Sequence, residues 1–291
     1  MLLALIRTMR PRQWTKNVFI LAPLVFDGQL LSITAFIPTI SAFLLFCLLS
    51  STVYIFNDLL DVESDRRHPQ KRNRPIASGE LTVRAAVISL IFLLAITVGL
   101  AFFISIQLVL VEITYFLLNI AYTLWLKHIP LIDVFTIAAG FVLRVLAGVV
   151  SIHVQQFSPW LYVLMTLLAL YIGFGKRRAE LALLAEDTFS ARRVLEGYTI
   201  PLLDQLIIIV TSATLVSYSL YTFLAQTADG NHALMLTIPF VLYSFFRYLY
   251  LLQVKNIGSA PEEVLLSDRP LQISILLWGL VIFIIFYLMP S

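Results

Sequence analysis

Long continuous runs of apolar residues, separated by short polar connections, dominate the pattern of this sequence. Each run is close to the roughly 20 residues that an α-helix needs to cross the hydrocarbon core of a bilayer. Strands of a membrane β-barrel would instead alternate apolar and polar positions over about ten residues. The pattern therefore predicts an all-α polytopic membrane protein with about nine transmembrane helices, near residues 17–30, 33–58, 82–104, 107–126, 131–150, 159–180, 202–226, 233–254 and 270–289.

The overall composition supports a membrane protein. Apolar residues make up 60% of the 291 residues and charged residues only 13%, and a soluble chain could not bury that much apolar surface. We expect one transmembrane helical domain over residues 1–291, in contact with membrane lipids and not with nucleic acid. The formation of a homo-oligomer is left open.

The distribution of Lys and Arg predicts the orientation in the membrane. These residues occur in alternate connections, including the N-terminal segment 7–16, the connection 59–81 and the segment 176–178, whereas the connection 105–106 has none. Connections rich in Lys and Arg stay on the cytoplasmic side. We therefore expect an integral protein of the bacterial inner membrane, with the N-terminus and the active site cytoplasmic and the C-terminus, Pro290-Ser291, outside.

The charged segment Asn57–Glu80 follows the second apolar run and carries the main candidate chemistry. Asn57, Asp61 and Asp65 are four residues apart, and Asp58 precedes Asp61 by three. If the second helix continues this far, the spacing places their oxygens on one helical face. Clustered hard oxygen ligands suit Mg²⁺, which binds one or two carboxylates together with substrate phosphates.

Basic residues follow these carboxylates within the same segment. Arg66, Lys71 and Arg74 are suited to contact phosphate oxygens. Pro69 and Pro75 cannot lie inside a helix, so residues 66–80 are predicted to form a loop or a broken turn. The competing interpretation is a solvated surface of ion pairs, which is common in charged loops.

Further polar side chains lie at the predicted cytoplasmic ends of other helices. Each also has an ordinary structural explanation: a Lys that extends to the interface, an aromatic residue at the headgroups, or a pair such as Lys176 with Glu180 four residues apart. The candidates of this kind for substrate contact are Lys16, Tyr122, Lys127, Lys176, Arg177 and Glu180.

Two charged residues are predicted to lie deep in the membrane. Glu112 and Arg144 are each about 15 residues from the turn near Lys127, which corresponds to a depth of about 20 Å. Intramembrane charges usually face the helix bundle and find a partner. The sequence therefore predicts that Glu112 and Arg144 form an ion pair, either as a helix clamp or with a catalytic role.

The pattern Asn57-Asp58-x-x-Asp61-x-x-x-Asp65 resembles the first motif of the UbiA superfamily of intramembrane prenyltransferases. The resemblance implies helices around a central cavity that opens to the cytoplasmic side, with Mg²⁺ as cofactor. Longer runs, over residues 65–79, 10–17, 127–128, 139–144 and 176–181, resemble the branch of the superfamily that transfers 5-phosphoribosyl from phosphoribosyl pyrophosphate (PRPP) to polyprenyl (decaprenyl) phosphate. That branch supplies cell-envelope precursors.

One departure from the superfamily pattern bears on the substrate. Aromatic prenyltransferases of the superfamily carry a second Asp-rich motif after the sixth helix, where this chain has Lys176, Arg177 and Glu180. Cations at this place would bind phosphate directly, which suits PRPP with its diphosphate and separate 5-phosphate.

The resemblance and the charge pattern together assign roles to residues within the implied reaction. Asp58, Asp61 and Asp65 are expected to hold the metal, and Asp58, Asp61 and Lys176 to be catalytic. Two other functions are kept as alternatives: prenyl transfer from a prenyl diphosphate to an aromatic acceptor, and a transporter or lipid-binding protein without chemistry. The expected substrate contacts are Lys16, Asn57, Arg66, Lys71, Arg74, Tyr122, Lys127, Arg177 and Glu180.

Overall fold

A computed structural model describes residues 1–152, 159–184, 193–224, 232–255, 264–265 and 267–289. Every regular element in these ranges is a helix, which confirms the predicted all-α class. Short 3₁₀ helices at Pro11–Leu21, Lys71–Asn73, Leu126–His128, Arg193–Gly197 and Ala233–Thr237 connect or extend the α-helices. The α-helices are α1 Leu2–Met9, α2 Ala22–Phe26, α3 Ile33–Leu60, α4 Val62–Arg67, α5 Pro75–Ser78, α6 Val83–Phe102, α7 Ile106–Leu124, α8 Ile132–Ser151, α9 Pro159–Leu184, α10 Ile200–Leu224, α11 Ile238–Gln253 and α12 Arg269–Phe283.

Seven helices in the described part of the chain are long and apolar enough to cross a membrane. They coincide with predicted spans, and α9 occupies the place of the predicted span 159–180. The predicted first span, 17–30, is instead divided between the 3₁₀ helix Pro11–Leu21 and α2. The chain is thus an integral membrane protein, whereas the count of nine spans, the side on which a cavity opens and the orientation stay predictions. The C-terminal Pro290-Ser291 lies outside the described residues.

The chain divides into two compact units, Met1–Trp125 with Gly140–Phe157, and Leu126–Ala139 with Ser158–Ser291. The core of the first unit includes Phe46 and Leu49 of α3 and Leu108 of α7. Gly148 of α8 packs directly on the 3₁₀ helix Pro11–Leu21, because a Cβ at Gly148 would lie 2.0 Å from the carbonyl oxygen of Ile20. A larger residue at this position would force the two segments apart.

In the second unit, polar side chains tie the ends of helices together. Arg178 of α9 binds Asp204 of α10 at 2.6 Å. Arg247 of α11 binds Asp268 through two hydrogen bonds of 3.1 and 2.8 Å. Asp268 also caps α12 by accepting a hydrogen bond from the Leu271 amide at 2.9 Å. The bonds from Arg247 hold the pKa of Asp268 below its usual value.

The predicted ion pair between Glu112 and Arg144 is wrong. The Arg144 guanidinium donates instead to Asn17 Oδ1 at 2.8 Å, to the Gly140 carbonyl at 2.8 Å and to the Tyr115 hydroxyl at 2.7 Å. Both carboxyl oxygens of Glu112 are buried and have no hydrogen-bond partner among the described residues. Glu112 and Tyr115 are three residues apart and lie on nearly the same face of α7, and the side chain that meets Arg144 is Tyr115, one turn along the helix from Glu112.

Candidate active site

The charged segment after α3 folds into short helices. Helical hydrogen bonds continue across the junction of α3 and α4, from the Asp61 amide to the Asn57 carbonyl at 3.0 Å and from Asp65 to Asp61 at 2.8 Å. Where the sequence predicted a loop or broken turn, the chain forms the 3₁₀ helix Lys71–Asn73 and the single turn α5. Pro75 is the first residue of α5, where its missing amide proton costs no hydrogen bond.

Two buried carboxylates of this segment share one arginine. Arg74 Nη1 lies 3.2 Å from Asp58 Oδ1 and 2.7 Å from Asp65 Oδ2. Asp58 Oδ1 also accepts a hydrogen bond from Arg10 Nη2 at 2.5 Å. The side chains of Asp58 and Asp65 are each only 3% exposed. Burial of ionised groups is tolerated because each is paired and hydrogen-bonded.

Arg10 is a member of this cluster that was not among the predicted site residues. Its backbone is left-handed, with φ of 52°, at the junction between α1 and the 3₁₀ helix Pro11–Leu21. This conformation is unfavourable for a residue with a Cβ. The guanidinium also lies over the Tyr54 ring, 5.0 Å from its centroid. The run Arg10-Pro11-x-Gln13-Trp14 was the only sequence signal that pointed to it.

The other two polar residues of the acidic motif have different surroundings. Asn57 Oδ1 accepts a hydrogen bond from the Thr123 hydroxyl at 2.7 Å, which links the ends of α3 and α7. Asp61 is half-buried and forms no ion pair with the described residues. Its carboxylate therefore remains accessible to a ligand from solvent.

The other residues predicted to contact substrate in the first unit lie at partly or fully exposed positions. The same holds for Lys127 and Lys176 of the second unit. Arg66 is paired with Glu63 at 2.8 Å and donates to the Ala77 carbonyl at 3.3 Å. The roles of the predicted contact residues in substrate binding stay predictions. Arg66 and Lys71 are exposed, and the half-buried residues are Lys16, Tyr122, Lys127 and Lys176.

A second charged cluster lies within the second unit, around the start of α8 and the end of α9. Arg177 Nε binds Asp133 Oδ2 at 2.6 Å, and Arg177 also donates to Glu180. The Tyr198 hydroxyl donates to Asp133 Oδ1 at 2.6 Å and accepts from the Leu131 amide at 2.6 Å. The side chains of Arg177 and Asp133 are 1% and 0% exposed, so this is a buried ion pair.

Tyr198 is the residue of this second cluster that sequence reasoning missed. It follows the 3₁₀ helix Arg193–Gly197, whose Gly197 packs against Pro130; a Cβ at Gly197 would lie 2.3 Å from the proline ring. This close approach brings Tyr198 to Asp133. Burial, and then the hydrogen bond to Asp133, raises the pKa of Tyr198, so its phenol stays neutral and donates at physiological pH. No spacing rule connects residues 65 positions apart.

Comparison with known proteins identifies the family. The sequence pattern described as the UbiA prenyltransferase family matches residues 20–267. The chain belongs to this family.

Relatives of the UbiA-family chain carry a more specific name. It is 35% identical to a protein of Corynebacterium glutamicum named decaprenyl-phosphate phosphoribosyltransferase, over 98% of this chain and 87% of the relative. A Mycolicibacterium smegmatis protein of the same name is 34% identical over 94% of this chain and 89% of the relative. The relation therefore extends over nearly the whole chain.

The UbiA fold is also found by structural comparison. A UbiA homologue from Archaeoglobus fulgidus, solved bound to DMAPP and Mg²⁺, superimposes with a TM-score of 0.70 over 97% of this chain and 98% of that chain. Sequence identity is 19%, so this likeness concerns the fold alone. It confirms the predicted UbiA-like helical architecture.

The donor set of this UbiA-family chain fits a divalent metal only after a rearrangement. Among the described residues, no group of three or more His, Cys, Asp or Glu side chains is placed to hold a metal ion. Asp58 Oδ1 and Asp65 Oδ2 nevertheless lie no more than about 6 Å apart, because both contact Arg74 Nη1. Two oxygens bound to one Mg²⁺ lie at most about 4.2 Å apart, so a shared metal would require Arg74 to move aside and the two carboxylates to approach each other. The metal roles of Asp58, Asp61 and Asp65 stay predictions.

Proposed function

We propose that this protein transfers 5-phosphoribosyl from PRPP to decaprenyl phosphate or a closely related polyprenyl phosphate, with release of pyrophosphate. The observation that carries the proposal is the near full-length identity of 32–35% to relatives named decaprenyl-phosphate phosphoribosyltransferase. The product would be polyprenyl-phosphoryl-5-phosphoribose, a lipid-linked precursor of the cell envelope. We place the reaction at the cytoplasmic face of the bacterial inner membrane, where the sequence predicts the charged helix ends.

The charges after α3 and at the end of α9 support a donor with more than one phosphate group. Asp58 and Asp65 are already matched by two arginines, so the first cluster holds both the carboxylates for a metal and the cations for a diphosphate. In the second unit, Lys176 follows a buried helical stretch and is half-buried. We assign Lys176 to a phosphate group, with Arg177 and Glu180 as its neighbours.

The reaction is a displacement at C1 of the ribose. An oxygen of the polyprenyl phosphate forms the new bond to C1 as the bond from C1 to the diphosphate oxygen breaks. Pyrophosphate leaves with the bonding electrons. The acceptor oxygen is already anionic, so no general base has to remove a proton.

The main catalytic task is to stabilise the departing diphosphate. When bound, Mg²⁺ would neutralise charge on that leaving group. Asp58, Asp61 and Asp65 would hold the metal, with Asn57 oriented beside them by Thr123. Arg10 and Arg74 supply positive charge at the same cluster, which stabilises negative charge that develops in the transition state. Lys16, Arg66, Lys71, Tyr122 and Lys127 remain candidates for further substrate contacts.

Purified protein incubated with Mg²⁺, PRPP labelled in its ribose and decaprenyl phosphate tests the proposal. We expect the label to move into an organic-extractable lipid, with one pyrophosphate released per labelled lipid. Consumption of a prenyl diphosphate together with an aromatic acid, and no labelled lipid from PRPP, would overturn the proposal in favour of aromatic prenyl transfer. Release of ribose phosphate without decaprenyl phosphate would identify hydrolysis instead of transfer.

A further inference from the structure

One arginine takes the position between the two buried carboxylates that the proposed function assigns to the metal. Arg74 Nη1 contacts Asp58 Oδ1 at 3.2 Å and Asp65 Oδ2 at 2.7 Å. A single nitrogen thus bridges both acids, as a divalent cation would. The side chains of the two acids are 3% exposed, whereas that of Arg74 is 28% exposed. The bridging cation therefore has access to solvent that the acids lack.

Charge balance explains why a bridge is needed without a metal. Two carboxylates within about 6 Å of each other in a buried environment repel each other, and each pays a desolvation penalty unless it is paired. Arg10 and Arg74 together offset the charges of Asp58 and Asp65. Adding a divalent metal to this neutral set would leave an excess of two positive charges. Displacement of one arginine toward an anionic ligand reduces that excess to one positive charge.

The surroundings indicate which of the two arginines is displaced. Arg10 is fixed by its left-handed backbone, by Pro11 after it and by the Tyr54 ring under its guanidinium. It contacts only one of the two acids. Arg74 lies on the short connection between the 3₁₀ helix Lys71–Asn73 and the single turn α5, and its side chain is partly exposed. Arg74 is therefore the arginine that can move.

We propose that Arg74 is an internal counter-cation: it holds Asp58 and Asp65 in place in the metal-free protein, is replaced by the divalent metal, and then contacts the diphosphate that arrives with that metal. The first half concerns only this chain and the metal. The second half rests on the proposed function, because it requires a diphosphate substrate. Arg74 is thus a positioning residue for the acids before it becomes a substrate contact.

Binding of Mn²⁺ in the absence of any substrate tests the first half. Titration of purified protein, with free Mn²⁺ followed by its EPR signal, would be compared for the parent, Arg74→Gln and Arg72→Gln. Arg72 is exposed in the same segment, so its variant removes the same charge without breaking the bridge. We expect Arg74→Gln to bind Mn²⁺ at least about tenfold more tightly than the parent, and Arg72→Gln to bind within about twofold of it. Equal affinity of Arg74→Gln and Arg72→Gln, or weaker binding by Arg74→Gln, would overturn the counter-cation role.

PRPP binding in saturating Mn²⁺ tests the second half. Arg74→Gln is expected to bind PRPP about tenfold or more weakly than the parent, the opposite direction to its metal affinity. Tighter Mn²⁺ binding with unchanged PRPP affinity would overturn the transfer of Arg74 to the diphosphate. If the parent itself does not bind PRPP, the proposed function fails, while the Mn²⁺ result still decides the first half. If Arg74→Gln does not fold, Arg74→Lys replaces it in the Mn²⁺ titration. The ammonium of Lys is a point charge that bridges two acids less well than a guanidinium, so the affinity for Mn²⁺ should still rise. An unchanged affinity would overturn the counter-cation role.

Discussion

Replacement of Arg177 tests whether the second charged cluster is held together by its buried ion pair. The Asp133 carboxylate is fully buried. In Arg177→Gln it would keep the hydrogen bond from the Tyr198 hydroxyl but would have no cationic partner among the described residues. Removing one partner of a buried pair typically costs about 3–5 kcal/mol of unfolding free energy. Asp133→Asn is expected to cost less, about 1.5–3 kcal/mol, because Arg177 keeps Glu180 and Asn keeps an oxygen for Tyr198.

The double variant gives the sharper measurement. Once Asp133 is neutral, the loss of Arg177 no longer leaves a buried charge, so the double variant should be at least about 1 kcal/mol more stable than the sum of the single effects predicts. Reversible unfolding of the detergent-solubilised protein, followed by tryptophan fluorescence, measures all four proteins. Exposed Arg84→Gln serves as the control and should change stability by no more than about 0.5 kcal/mol. Additive single effects, within about 0.5 kcal/mol, would refute the ion pair as the force that holds this cluster.

Glu112→Gln should leave unfolding free energy within about 1 kcal/mol of the parent, because no described residue pairs with this carboxyl; a loss of about 3 kcal/mol or more would mean that a charge partner exists. Asp61→Asn should lower Mg²⁺-dependent product formation by about a hundredfold or more without loss of folded protein, and unchanged turnover would reject Asp61 as a metal ligand. The lowered pKa of Asp268 means that its contribution to stability is present above its ordinary pKa of about 4 and is lost only as pH falls through the lower folded value. Arg247→Gln removes this shift, so the variant should be less stable than the parent above a pH of about 4, and the difference should shrink as the pH falls further; a difference that stays constant with pH would contradict this.

The sequence predicted the helices well because a membrane span has a strong local signature. A continuous apolar run of about 20 residues has few alternatives to a helix in a bilayer, where every backbone polar group must be paired internally. The span predicted at 233–254 thus appears as Ala233–Gln253, and that at 107–126 as Ile106–Leu124. The first run was harder, since its short stretch of residues 17–30 divides between a 3₁₀ and an α-helix.

Contacts between distant residues could not be predicted in the same way. Arg74 and Asp65 lie within one segment, for which ion pairs were only the competing interpretation. The contact of Arg10 with Asp58 joins residues 48 positions apart and depends on the left-handed backbone of Arg10. The contact of Tyr198 with Asp133 joins residues 65 positions apart and depends on the close packing of a glycine. Sequence spacing encodes neither feature. Helical depth alone likewise left the partner of Arg144 undetermined.

The fate of the two ends of PRPP tests the central claim most directly. Two samples of PRPP, one carrying ³²P in the 5-phosphate and the other in the diphosphate, would be incubated with the purified protein and decaprenyl phosphate. Phosphoribosyl transfer predicts that the 5-phosphate label enters the lipid while the diphosphate label appears in water as pyrophosphate. Diphosphate label in the lipid, or no label in the lipid from either sample, would contradict the account.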